Sequence, residues 1–67
     1  MKQSYGLQKK FISFIRSGIK DTRVFGSPMA VYEWVVREWG RPLNDETQRQ
    51  AWLAAWAVSI DHGMVKL

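Results

Sequence analysis

The chain has 67 residues, a formal net charge of +4 from ten Lys and Arg against six acids, 46% hydrophobic residues including four Trp, and no cysteine. That length makes one small domain, residues 1–67, whose core barely outweighs chain entropy, and the apolar share is too high for an intrinsically disordered segment. Without cysteine, disulfides, thiolate metal sites and thiol redox chemistry are excluded.

The opening stretch "MKQSYGLQKKFISFIRSGIK" starts basic, as a secretory signal does. Its apolar part is interrupted by Arg16, however, and no small-residue cleavage site follows. No export signal is read, so a cytoplasmic protein is expected. The longest apolar run, "AWLAAWAV" at 51–58, is far short of the roughly 20 residues that span a bilayer.

Residues 5–19 predict a first helix. At 100° per residue, Leu7, Phe11, Phe14, Ile15, Gly18 and Ile19 gather on one side, and Lys9, Ser13, Arg16 and Lys20 gather opposite. The helix is therefore amphipathic and basic. Residues 1–25 hold six basic side chains (Lys2, Lys9, Lys10, Arg16, Lys20, Arg23) against Asp21 alone, whereas the remainder holds four basic and five acidic. All the excess positive charge lies in the first third, which points to an anionic partner or to a solvated surface that keeps the protein soluble.

"DTRVFGSP" (21–28) reads as a connector, with Ser27 as N-cap and Pro28 at the first helical position of a second helix. Gly40, followed by Pro42, ends that helix, giving residues 28–39. Met29, Val31, Tyr32, Val35, Val36 and Trp39 share one apolar arc. Glu33, Arg37 and Glu38 lie outside it, and Glu33 and Arg37 are spaced for an i, i+4 ion pair. Trp34 and Trp39, five helical steps apart, point about 140° from each other. Trp39 is expected in the core. Trp34 falls between Arg37 and Glu38 on the polar face, where it is either uncovered or covered by a chain terminus.

"PLNDETQ" signals a third helix, residues 45–62, with Asn44 or Asp45 as cap, acids in the first turn, and Gln48 closing a capping box from Asp45. Gly63 stops it. Trp52, Leu53, Trp56 and Ile60 form its main stripe, and Trp52 and Trp56 are expected in the core with Trp39. Ala51, Ala54, Ala55 and Val58 form a second, shallow face on which a homodimer seam would fit. The final "MVKL" is either an extra strand or a packed tail. The fold class is thus all-α, a compact three-helix domain.

Ser59, Asp61 and His62 are the residue types of a hydrolase triad, but within four residues of one helix they fan around the axis and do not meet. Near a helix C-terminus, charged His62 would complement the dipole. No ligand set for a metal and no phosphate-loop or dinucleotide glycine spacing is present. A non-catalytic protein without metal or cofactor is expected.

Two binding modes remain. The first is a small regulator or inhibitor, of the kind phages and mobile elements encode, that docks on a larger protein. It would use the exposed face of the second helix (Trp34, Arg37, Glu38) together with the basic first third (Lys9, Lys10, Arg16, Lys20, Arg23). An exposed ring beside an arginine has the composition of an interface hot spot. The second is a nucleic-acid-binding module that sets Lys9, Lys10, Arg16, Lys20 and Arg23, with Arg41 and Arg49, on phosphates. The turn "WGRPL" resembles that of helix-turn-helix motifs of the bacterial sigma-factor type. The resemblance spans about 20 residues and implies the third helix as reader, with Thr47, Gln48, Arg49 and Gln50 presented to base edges. Glu46 and Arg49 stand where that motif packs apolar residues. Membrane-surface binding by the first helix is disfavoured, because its Leu and Phe side chains are needed for the core.

Overall fold

The computed structural model describes residues 5–65 and contains three α-helices: α1 (Tyr5–Gly18), α2 (Pro28–Trp39) and α3 (Asp45–Asp61). A short 3₁₀ turn, Thr22–Phe25, lies between the first two. The helix limits follow local chemistry. Ser27 Oγ accepts from the Ala30 N–H at 3.2 Å, and Pro28 opens α2. Gly40 closes α2 at φ +77°, a conformation that excludes most side chains.

Asn44, not Asp45, caps α3. Its Oδ1 accepts from the Thr47 N–H at 2.8 Å and from the Thr47 hydroxyl at 2.7 Å. Gln48 turns back to the Leu43 carbonyl at 3.0 Å, so the expected box with Asp45 does not form. At the other end, Gly63 (φ +82°) lets the Met64 N–H reach the Ser59 carbonyl at 2.9 Å and its own N–H reach Ile60 at 3.0 Å. That pairing is a Schellman motif, and it swings Met64 back onto the core. The start of "MVKL" is therefore a packed tail; Lys66 and Leu67 lie outside the described residues, as does the segment 1–4.

The core joins Phe11, Ile15 and Ile19 of the first helical segment, Val31 and Val35 of α2, and Ala51, Ala54, Ala55 and Val58 of α3. Helix α3 packs closely on both α1 and α2. Helices α1 and α2 meet instead through large rings. Trp39 lies 4.5 Å from Phe11 and 5.0 Å from Phe14, centroid to centroid, and Trp34 lies 5.4 Å from Phe14.

This arrangement changes two faces relative to the sequence pattern. On α3 the alanine face is the core: Ala51, Ala54 and Ala55 are 0% exposed. Small side chains allow close helix approach, and here the approaching helices belong to the same chain. The expected homodimer seam is accordingly buried inside the protomer. Trp52, Trp56 and Ile60 are only half-buried, and Leu53 is 42% exposed. On α2 the buried arc is rotated toward Trp34, leaving Met29 51% and Val36 40% exposed. The rotation follows from α1, whose rings pull Trp34 inward.

Candidate interaction surface

Trp34 does not stand free on a polar face. It is half-buried and packed against the core, with its indole over the last residue of α1. A Cβ placed on Gly18 would come within 2.6 Å of Trp34 Cζ2. Gly18 is thus the seat of the ring, and neither terminus is required to cover it. Its expected neighbours Arg37 and Glu38 are exposed, but among the described residues the Glu33–Arg37 ion pair does not form. The reason for singling out Trp34 as a free docking ring is removed by the packing of α1.

The basic first third is partly neutralised within the chain. Arg16 donates to Asp61 at 2.6 Å, joining the C-terminal ends of α1 and α3. Arg23 grips Asp21 through Nε (3.0 and 3.1 Å) and Nη2 (2.8 Å). Those side-chain bonds, with the Arg23 backbone N–H at 3.0 Å, hold the Asp21 carboxyl down at about 2 against an ordinary 3.8. Lys9 is engaged as well. Lys10 and Lys20 are exposed.

The residues expected to read bases are also occupied. Thr47 is held by the Asn44 cap, Gln48 by the Leu43 carbonyl, and Arg49 by Glu46 at 3.2 Å, while Gln50 is buried and donates to Glu46 at 2.9 Å. The Arg41 guanidinium stacks 5.6 Å from the Trp39 ring centroid. Asp45 and Glu46 are exposed at the same helix end, where their charge opposes an approaching phosphate.

The arrangement that emerges instead is apolar and lies on the outer side of α2 and α3. Tyr32 meets Trp52 edge to face at 5.3 Å, and Trp52 meets Trp56 at 6.1 Å. Met29, Tyr32 and Trp52, with Asp45, Gln48 and Arg49, line a shallow open groove of about 470 Å³. Leu53 and Val36, one helical turn from Trp56 and Tyr32 respectively, extend the surface. Sequence periodicity contained the signal. Helix α3 is apolar on two opposed sides, and only one of them can face its neighbours.

Among the described residues, Ser59, Asp61 and His62 do not come together as a triad. Ser59 is fully buried and its Oγ lacks a hydrogen-bond partner, Asp61 is turned to Arg16, and His62 Nδ1 is taken by Thr22. Among the described residues no group of three His, Asp or Glu side chains is arranged to hold a metal ion. No described helix is long and apolar enough to cross a membrane. Comparison with protein-family models, curated protein sequences and solved structures finds no match.

Proposed function

We propose that this protein is a non-catalytic binding module, regulatory or inhibitory in the manner of small phage-encoded proteins, that acts in the cytoplasm by docking on a larger protein. The observation that carries this reading is the outer face of α2 and α3. Met29, Val36 and Leu53 are 51%, 40% and 42% exposed beside the half-buried rings of Tyr32, Trp52 and Trp56. Scattered apolar residues on a surface are ordinary, but aromatic rings, methionine and leucine contiguous over two helices mark an interface. An open groove between two helices, floored by Met29, Tyr32 and Trp52, fits the apolar stripe of an amphipathic helix. A second copy of the chain is a poorer occupant, since each protomer carries a net +4.

This surface lies on the other side of α2 from the Trp34, Arg37 and Glu38 face expected from the sequence, and it does not draw on Lys9, Lys10, Arg16, Lys20 or Arg23. The nucleic-acid reading is disfavoured by the internal pairing of Arg16, Arg23 and Arg49. The test is affinity capture from the native host's lysate with and without nuclease treatment. It compares wild type with a Met29→Glu/Leu53→Glu variant and a Lys10→Glu/Lys20→Glu variant, all confirmed as folded. A protein retained by wild type and by the lysine variant, but lost with Met29→Glu/Leu53→Glu, is the expected result. Retention that disappears with nuclease or with the lysine variant overturns it in favour of nucleic acid.

A further inference from the structure

His62 follows the last residue of α3, and its ring is turned to the connector that precedes α2. Nδ1 lies 3.0 Å from the Thr22 backbone nitrogen, which donates to it, and 2.9 Å from Thr22 Oγ1. An amide N–H donates only, so Nδ1 must present its lone pair and the ring proton must sit on Nε2. Thr22 is 0% exposed, so water cannot replace this acceptor. This is the opposite of the dipole-complementing charged histidine that its position near the helix end suggests. The bond also crosses 40 residues of sequence, tying the end of α3 to the first residue of the 3₁₀ turn.

We propose that the His62–Thr22 contact is an acid-sensitive latch on the Thr22–Phe25 connector. A proton added at Nδ1 converts the acceptor into a donor that faces the Thr22 N–H. The Thr22 hydroxyl can rotate to accept the new N–H, so the lost bond is specifically the backbone one. The surrounding charges do not restore it. The Asp21 carboxylate is near enough to interact with the ring, but it is held by Arg23; Asp61, next to His62 in sequence, is held by Arg16; Lys20 and Arg23 are cations. A buried N–H left without an acceptor frees the turn, whose Phe25 packs on the core. The ends of α1 and α3 stay joined through Arg16 and Asp61.

Amide hydrogen exchange read residue by residue by NMR tests this directly. Corrected for intrinsic exchange, the protection of the Thr22 amide should fall at least about tenfold more than that of Val35 between about pH 7.5 and pH 5. His62→Asn, whose Oδ1 accepts but does not titrate, should abolish that difference, and Thr22→Val, which lacks the compensating hydroxyl, should enlarge it. Parallel loss of protection at Thr22 and Val35, or an undiminished difference in His62→Asn, overturns the latch. Should a variant fail to fold, the wild-type ring nitrogens decide. A proton on Nε2 with Nδ1 bare at about pH 7.5 is required, and a proton on Nδ1 there overturns the proposal.

Discussion

Replacing Gly18 by Ala and Trp34 by Ala, singly and together, measures the contact that displaced Trp34 from solvent. A tryptophan side chain buries about 150–250 Å², and taking the lower figure for the half-buried Trp34 at about 25 cal/mol per Å² gives about 4 kcal/mol as an upper value. Residual exposure brings the expected cost of Trp34→Ala to about 3 kcal/mol. A domain of this size holds about 3–10 kcal/mol in total, so the melting temperature should fall by roughly 10–25 °C. Gly18→Ala has two opposed effects. Alanine at the last helical position gains up to about 0.5–1 kcal/mol of helix propensity, while its methyl, within 2.6 Å of Trp34 Cζ2, costs about 1–3 kcal/mol of overpacking. The clash wins in the wild type and vanishes once the indole is gone. Gly18→Ala should therefore destabilise the wild type and be neutral or stabilising in Trp34→Ala, a coupling equal to the clash, about 1–3 kcal/mol. Urea and thermal unfolding of the four proteins, followed by far-ultraviolet circular dichroism, give the cycle. Equal effects of Gly18→Ala in both backgrounds, or an unchanged melting temperature for Trp34→Ala, would refute the assignment of Trp34 to the α1–α2 contact.

Ser59→Ala removes a buried hydroxyl that has no hydrogen-bond partner and adds a better helix former, so it should raise stability by up to about 1 kcal/mol in a urea titration; a loss would show that the hydroxyl is satisfied. Ala55→Leu forces three extra carbons into the fully buried seam of α3 and should cost about 1–3 kcal/mol or more, whereas the same enlargement at exposed Ala57 should change the melting temperature little. Because the Asp21 carboxyl is lowered from 3.8 to about 2 on folding, its contribution is complete above the unfolded value and is lost as pH falls from about 4 toward 2. Asp21→Asn should flatten that acid limb of stability against pH, and an unchanged acid limb would count against the Arg23 pairing.

The helix limits were legible because they are set by neighbours in sequence. Ser27 and Pro28 open α2, Gly40 closes it and Gly63 closes α3, each through backbone geometry that a single residue type supplies. The basic outer face of α1 was equally legible, since Phe11, Ile15 and Ile19 repeat at helical spacing and only one side of that helix is apolar. The packed Met64 and the Asn44 cap were within the alternatives the sequence left open.

What the sequence by itself determined is therefore the number and approximate extent of the α-helices, with the caps of α2 and the glycine stop of α3. Which face of each helix turns inward was decided by tertiary structure wherever the pattern offered two answers. Helix α3 has aromatic residues on one side and alanines on the other, and hydrophobicity alone favours the tryptophans for the core. Close approach of two helices to a third favours the alanines, and it is this close approach that the fold adopts. Trp34 shows the same competition. Its neighbours Arg37 and Glu38 suggested solvent, but Gly18, 16 positions away, offers a site with no side chain into which an indole fits. A contact between a ring and a missing Cβ leaves no periodicity in either helix, and neither does the bond from Thr22 to His62 across 40 residues. Both exist only once the helices have been brought together.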